Sequence, residues 1–175
     1  MTADTFGTKP FGIRDIKLTN MDGDEQVDLP NERQLSFNEV LVSGELRGGG
    51  MTVAIATELD KVEASLEAGG ISLEAYALMT GRTAVESGST PNKIKTLTGA
   101  GADRYPYFKI YGKSLGDGDD DIHVKLRKCK LTGGIQGTLQ DGEFFVTQCN
   151  VVCIDDGTAI YDIVENETAT ELPQT

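Results

Sequence analysis

The chain has 175 residues, the length of a single domain, and its 28 acidic and 16 basic side chains give a net charge of −12. Such a balance argues against a DNA-binding or anionic-membrane surface, because both targets are themselves anionic. Glycine, at 21 residues, exceeds the usual ~7 %, so a turn-rich chain with a modest Val/Ile/Leu core is expected rather than long helices.

Residues 1–34 are polar and interrupted by Pro10, Pro30 and the acidic stretch 22–25. They read as an N-terminal arm that orders only against a neighbour, with one short strand over 13–18. The opening residues lack the apolar core of a secretory signal. No run in the chain reaches the ~18 apolar residues of a membrane helix, so a cytoplasmic site of synthesis is expected.

The first strong strand is 35–46, with Phe37, Val40, Leu41 and Val42. Arg47, Gly48, Gly49 and Gly50 then form a turn or mobile loop between strands, since glycine enters positive φ freely. In 51–68, Val53, Ile55 and Leu59 share one parity, whereas Val62, Ala64 and Leu66 share the other. A slip of one residue moves a strand's side chains to its other face. This segment therefore carries a bulge near Asp60-Lys61, or is two strands, or is helical in part. Ser72 as N-cap, Glu74 in the first turn and Gly81 as terminator predict a helix over 73–80, its contact face formed by Leu73, Tyr76, Ala77 and Thr80.

Beyond residue 90 the pattern is all strand. Short segments at 92–98, 105–111, 122–126, 143–154 and 160–164 are separated by turns at 99–101, 116–121, 133–137, 141–142 and 155–157. Residues 169–175 read as a polar tail. Six to eight strands and one short helix predict a β-sandwich or barrel over 35–168 with the helix packed on it.

No catalytic constellation emerges. His123, the single histidine, alternates against Ile122, Val124 and Leu126 and reads as a surface or interface residue. Cys129, Cys149 and Cys153 are an odd set without an export signal, hence free, buried thiols. Gly112-Lys113-Ser114 lacks the upstream glycine of a phosphate loop, that position being Tyr107. Asp117, Asp119 and Asp121 fit the first positions of a calcium loop, but Ile122 and Lys128 occupy the places of its glycine and glutamate. Neither metal nor cofactor is expected, and Asn166 is read as a chance glycosylation pattern. Lys125, Arg127, Lys128 and Lys130 form a basic stripe that, in so acidic a chain, suits an acidic face of the same or a neighbouring subunit.

Four stretches carry a resemblance: Glu67-Ala-Gly-Gly-Ile-Ser-Leu-Glu-Ala-Tyr-Ala-Leu-Met-Thr-Gly81, Tyr105-Pro-Tyr-Phe-Lys-Ile-Tyr-Gly112, Asp121-Ile-His-Val-Lys-Leu-Arg-Lys-Cys-Lys130 and Leu139-Gln-Asp-Gly-Glu-Phe144. In this order the chain resembles the major tail tube proteins of long-tailed bacteriophages over most of 35–168. The resemblance implies a non-enzymatic virion protein whose rings, commonly hexameric, stack into a tube that conducts genome DNA. The strands of all subunits would join into one ring-wide barrel. Its partners would be further copies, tail tip or terminator proteins, and a tape-measure protein. If the strand holding Val62, Ala64 and Leu66 belongs to the inner sheet, Glu63, Ser65 and Glu67 face the lumen and keep it negative. Loop 47–50 would reach the next ring. Two other readings stand beside this one. A tail-completion protein would form one ring without stacking. A small β-sandwich sugar-binding or adhesion module would use Tyr105, Tyr107, Phe108 and Tyr111 as an aromatic platform.

Overall fold

The computed structural model describes residues 7–70 and 72–172; residues 1–6 of the expected arm, Ile71, and 173–175 of the expected tail lie outside them. In chain order the elements are β1 (Phe11–Asn20), β2 (Gln26–Asp28), β3 (Glu32–Gly48), β4 (Met51–Gly69), α1 (Leu73–Thr80), β5 (Ala84–Ser87), β6 (Ile94–Leu97), β7 (Phe108–Leu115), β8 (Asp121–Leu131), β9 (Gln136–Gly137), β10 (Val146–Cys153) and β11 (Tyr161–Asn166). The expected mainly-β class holds. One antiparallel sheet runs β2-β1-β7-β8-β10-β4-β3, with β11 added to β8 and β9 to β10, and β5-β6 forms a separate hairpin.

The sheet folds on itself because its apolar side chains lie on one face. Ile16, Leu18, Phe108, Ile110 and Leu126 of one half share a core with Val62, Ala64, Leu66, Cys149 and Val151 of the other. The two halves meet closely where Leu35 of β3 lies over Gly112 of β7. A Cβ at Gly112 would stand 2.5 Å from Leu35 Cδ2, so glycine here makes room for packing rather than a phosphate loop.

β1 corrects the expected N-terminal arm. It pairs with β7 along most of its length, and Ile16 and Leu18 are fully buried. The domain therefore includes residues 11–34. The expected tail is likewise docked as far as it is described, with Leu172 buried and the Thr170 backbone bonded to Asp121.

Helix α1 begins and ends as its caps require: Ser72 accepts from Ala75 N–H at 3.2 Å, and Gly81 takes φ 69°. Its contact face differs from the expected one. Ala75, Leu78, Met79 and Thr80 are buried, whereas Leu73, Tyr76 and Ala77 are partly exposed. The helix is apolar around most of its circumference, so periodicity could not select a side. The tertiary frame does: Tyr76 Oη meets Thr147 Oγ1 at 2.6 Å on β10.

The parity slip in 51–68 is a β-bulge within one long strand. Val40 faces Lys61 while Leu41 faces Leu59, which leaves Asp60 as the extra residue. The bulge sets Leu59 and Val62 on the same face of the hairpin, opposite Leu41 and Glu39 of β3.

Candidate functional site

Among the described residues, β4 beyond Val62 pairs with β3 alone, since β10 pairs with Val62–Gly69, and β3 itself has a strand partner on one side only. From Leu41/Leu59 to its tip, the β3–β4 hairpin therefore leaves the body as a two-stranded ribbon, about 25 Å long at the usual rise per residue. Gly49 and Gly50 close it with φ 61° and 81°. Both central residues of this hairpin turn thus take positive φ, as a two-residue type I′ turn demands. Arg47 and Gly48 are still paired strand residues, opposite Thr52 and Met51. The tight turn is thus Gly49-Gly50, whose glycines are explained by backbone conformation, whereas a Cβ at Gly48 would stand 3.1 Å from Val53 Cγ2.

The ribbon is apolar and uncovered. Leu46, Met51, Val53 and Ile55 are 65–73 % exposed, and Leu41, Val42 and Leu59 are exposed as well. Register puts Leu41, Leu59 and Ile55 on one face, and Val42, Leu46, Ala54 and Ala56 on the other. Isolated two-stranded ribbons are marginally stable in water, and long unpaired edges are templates for another chain.

At the base of the hairpin, the face away from the core forms a polar ladder across three strands. Gln34, Glu67 and Gln148 make one rung, Ser36, Ser65 and Asn150 the next, and Asn38, Glu63 and Val152 the third. Ser36 and Ser65 hydroxyls are 2.7 Å apart. The residues named from sequence, Glu63, Ser65 and Glu67, thus share one outward face and stay clear of α1. Their neighbours on β3 and β10 were missed, although the alternation Gln34-x-Ser36-x-Asn38 and Gln148-x-Asn150 carries the signal. Glu63 pairs with Lys61 at 2.9 Å and Glu67 with Arg33 at 3.3 Å. The local charge is therefore balanced, and the two cations are already engaged by carboxylates.

Across β10 from this ladder, where Lys130 stands opposite Val152, the basic stripe of β8 divides. Arg127 is consumed internally, its guanidinium bonded to both carboxylate oxygens of Asp162 at 2.8 and 3.1 Å and to Asp156 at 3.4 Å. Lys125 lies over the Tyr111 ring, 5.3 Å from its centroid, while Lys128 and Lys130 flank the Tyr107 ring at 5.2 and 4.9 Å. A bulge in β8 between the partners of Phe108 and Ile110 keeps these lysines outward while Leu126 and Cys129 point inward. Lys109 of β7 was not foreseen; it sits between the core residues Phe108 and Ile110 and so points to the same outer side. Among the described residues, Lys109, Lys125, Lys128 and Lys130 have no carboxylate within ion-pair distance. Tyr111 is only 4 % exposed against 36 % for Tyr107, so the tyrosines form no exposed aromatic row.

His123 is a second correction. It is buried, and its Nε2 bonds Asp121 Oδ2 at 3.0 Å. Asp121, fully buried, also accepts from Asn166 Nδ2 at 2.7 Å and Thr170 N–H at 2.8 Å and pairs with Lys113 at 3.2 Å. Lys113 in turn bonds the Thr170 carbonyl. Burial alone would raise the Asp121 pKa, but these donors and cations outweigh it and hold the carboxyl below its ordinary 3.8. This cluster clips the C-terminal segment onto β7 and β8.

The thiols are a third correction. Cys129 and Cys153 face each other in the β8–β10 register with Cα atoms 4.0 Å apart and form a disulfide, leaving Cys149 free. Burial pushes the Cys149 thiol up to about 11. Unfolded without reductant, the chain is expected to expose one titratable thiol, and three after reduction. Three before reduction would restore the free-thiol reading.

The fold is thus that of a mainly-β, sandwich-like domain with a projecting ribbon. No protein-family model matches the chain, and no curated protein matches it.

Proposed function

We propose that this protein is a structural subunit that self-assembles into a tube, in the manner of the major tail tube proteins it resembles in sequence. Subunits join head to tail into rings, and the rings stack around a channel for genome DNA. The observation that carries this reading is the β3–β4 ribbon: it exposes apolar side chains on both faces and unpaired backbone on both edges. A second copy would cover them, and a heterologous contact repeated by rotation closes a ring. The glycine tip of the ribbon is placed to reach an adjacent ring.

The polar ladder around Glu63, Ser65 and Glu67 suits a channel lining. Its side chains are uncharged or carboxylate, and Lys61 and Arg33 are paired, so the ladder itself offers a passing phosphate backbone no unpaired cation, although Lys130, opposite Val152, borders it. On this reading the protein is not an enzyme, needs no cofactor, is made in the bacterial cytoplasm and resides in the virion tail. Other partners are the tail tip or terminator and tape-measure proteins, with no membrane contact. The sugar-binding alternative loses support from the burial of Tyr111 in its aromatic cluster.

Sedimentation and negative-stain microscopy over a range of protein concentrations test the proposal. Rings or tubes of uniform diameter are expected. Monodisperse monomer at every concentration would end it.

A further inference from the structure

We infer that the β3–β4 ribbon of one copy lies across the lysine–tyrosine face of β7 and β8 on the next copy, with Glu58 and Asp60 meeting Lys125, Lys128 and Lys130. The inference rests on the self-assembly reading and names the two surfaces that meet.

Each surface lacks what the other holds. In a chain of net charge −12, four outward lysines stand without a carboxylate partner among the described residues. On the ribbon, Glu58 is in no ion pair among the described residues, and Asp60 interacts only electrostatically with neighbouring Lys61, whose ion-pair partner is Glu63. These acids sit beside exposed Leu41, Val42 and Leu59. Lysine stems and the half-exposed Tyr107 ring provide an amphipathic counterface, apolar along the stem and charged at the tip. The acids of the 22–25 and 116–121 turns have no comparable apolar neighbours, whereas Asp141 and Glu143 stand beside exposed Leu139 and Phe144.

Within one copy the two surfaces form no ion pair among the described residues: Glu58 lies on the ribbon opposite Val42, and the lysines lie on β8, Lys130 opposite Val152 and Lys125 opposite Tyr111. A contact between two copies would join different surfaces and so be heterologous, with complementary fields setting its register and direction. A polyanion such as DNA is the other chemistry four lysines could take. It would leave the ribbon uncovered and would approach against the field of the whole chain.

The test uses the full chain in three forms: Lys125→Glu/Lys128→Glu/Lys130→Glu, Glu58→Lys/Asp60→Lys, and both sets combined. Circular dichroism checks the fold, and sedimentation measures the concentration at which rings or tubes form. Each set alone is expected to raise that concentration at least about tenfold, and the combination to recover most of the loss. If glutamates perturb β8, Lys→Gln at the same three positions should shift it in the same direction by less. Single sets that assemble like wild type, or a combination that recovers nothing, would overturn this contact while leaving the tube reading intact. Wild type that never assembles would instead remove the reading beneath it. Lysine variants that assemble normally but lose affinity for a duplex DNA fragment would reassign the face to nucleic acid.

Discussion

Replacement of residues 42–58 by Asn-Gly should yield a stable monomer that no longer assembles. The new turn would join Leu41 to Leu59, which already face each other in register, and Asn-Gly supplies the positive φ values of a two-residue hairpin turn. None of the buried core residues lies in the excised stretch. The body therefore keeps its packing, and shortening a solvent-exposed loop changes closure entropy only slightly. Assembly loses the projecting element with most of its exposed apolar side chains. If the ribbon supplies the main contact between copies, the concentration needed to form rings should rise more than about 100-fold, about 3 kcal/mol per contact. Thermal unfolding and sedimentation on the same preparation decide the matter. A shortened chain that still forms tubes would show that the ribbon is not the assembling element. One that unfolds would show instead that the ribbon belongs to the folding unit.

The second large effect is expected inside the subunit. Asp121→Ala should destabilise the domain by about 3 kcal/mol, because it leaves Lys113 and His123 in a poorly hydrated site without their shared carboxylate. Release of the segment around Thr170 should accompany the loss, visible as faster amide exchange or proteolysis near the C-terminal end. The pH dependence has a definite sign. The folded-state pKa of Asp121 lies below the ordinary 3.8, so its stabilisation is fully present above that value and fades as pH falls through the lower, folded-state one. Denaturant titrations of wild type and Asp121→Ala should therefore differ most at neutral pH and converge in strong acid. Equal stability at neutral pH would mean that the cluster is structurally neutral.

The same two sites show where sequence suffices and where it fails. Local rules specify the helix ends, because Ser72 and Gly81 act on backbone groups within a few residues of themselves. The bulge at Asp60 is equally legible, since alternation on one strand records each residue's face and a slip has only a few structural meanings. The outward direction of Glu63, Ser65 and Glu67 follows from the same alternation.

Burial that depends on a distant segment left no such trace. His123 alternates like a surface residue, and only the return of Asn166 and Thr170, more than forty positions away, places its partner Asp121 in the interior. The strand over 13–18 was legible within β1, but the polar composition of residues 1–34 concealed its place in the domain, which follows because β7 pairs with it and the core accepts Ile16 and Leu18. Cys129 and Cys153 meet through the register of β8 on β10, a long-range alignment that spacing of 24 residues does not encode. The basic stripe was visible as composition, yet which of its members are internally paired was settled by Asp156 and Asp162 arriving beside Arg127. Sequence by itself determined the strand-rich class, the helix and the faces of individual strands, because those follow from backbone sterics and short-range periodicity. The tertiary structure alone decided which faces are covered, and so left the ribbon and the lysine face bare, because covering a face requires another segment to arrive.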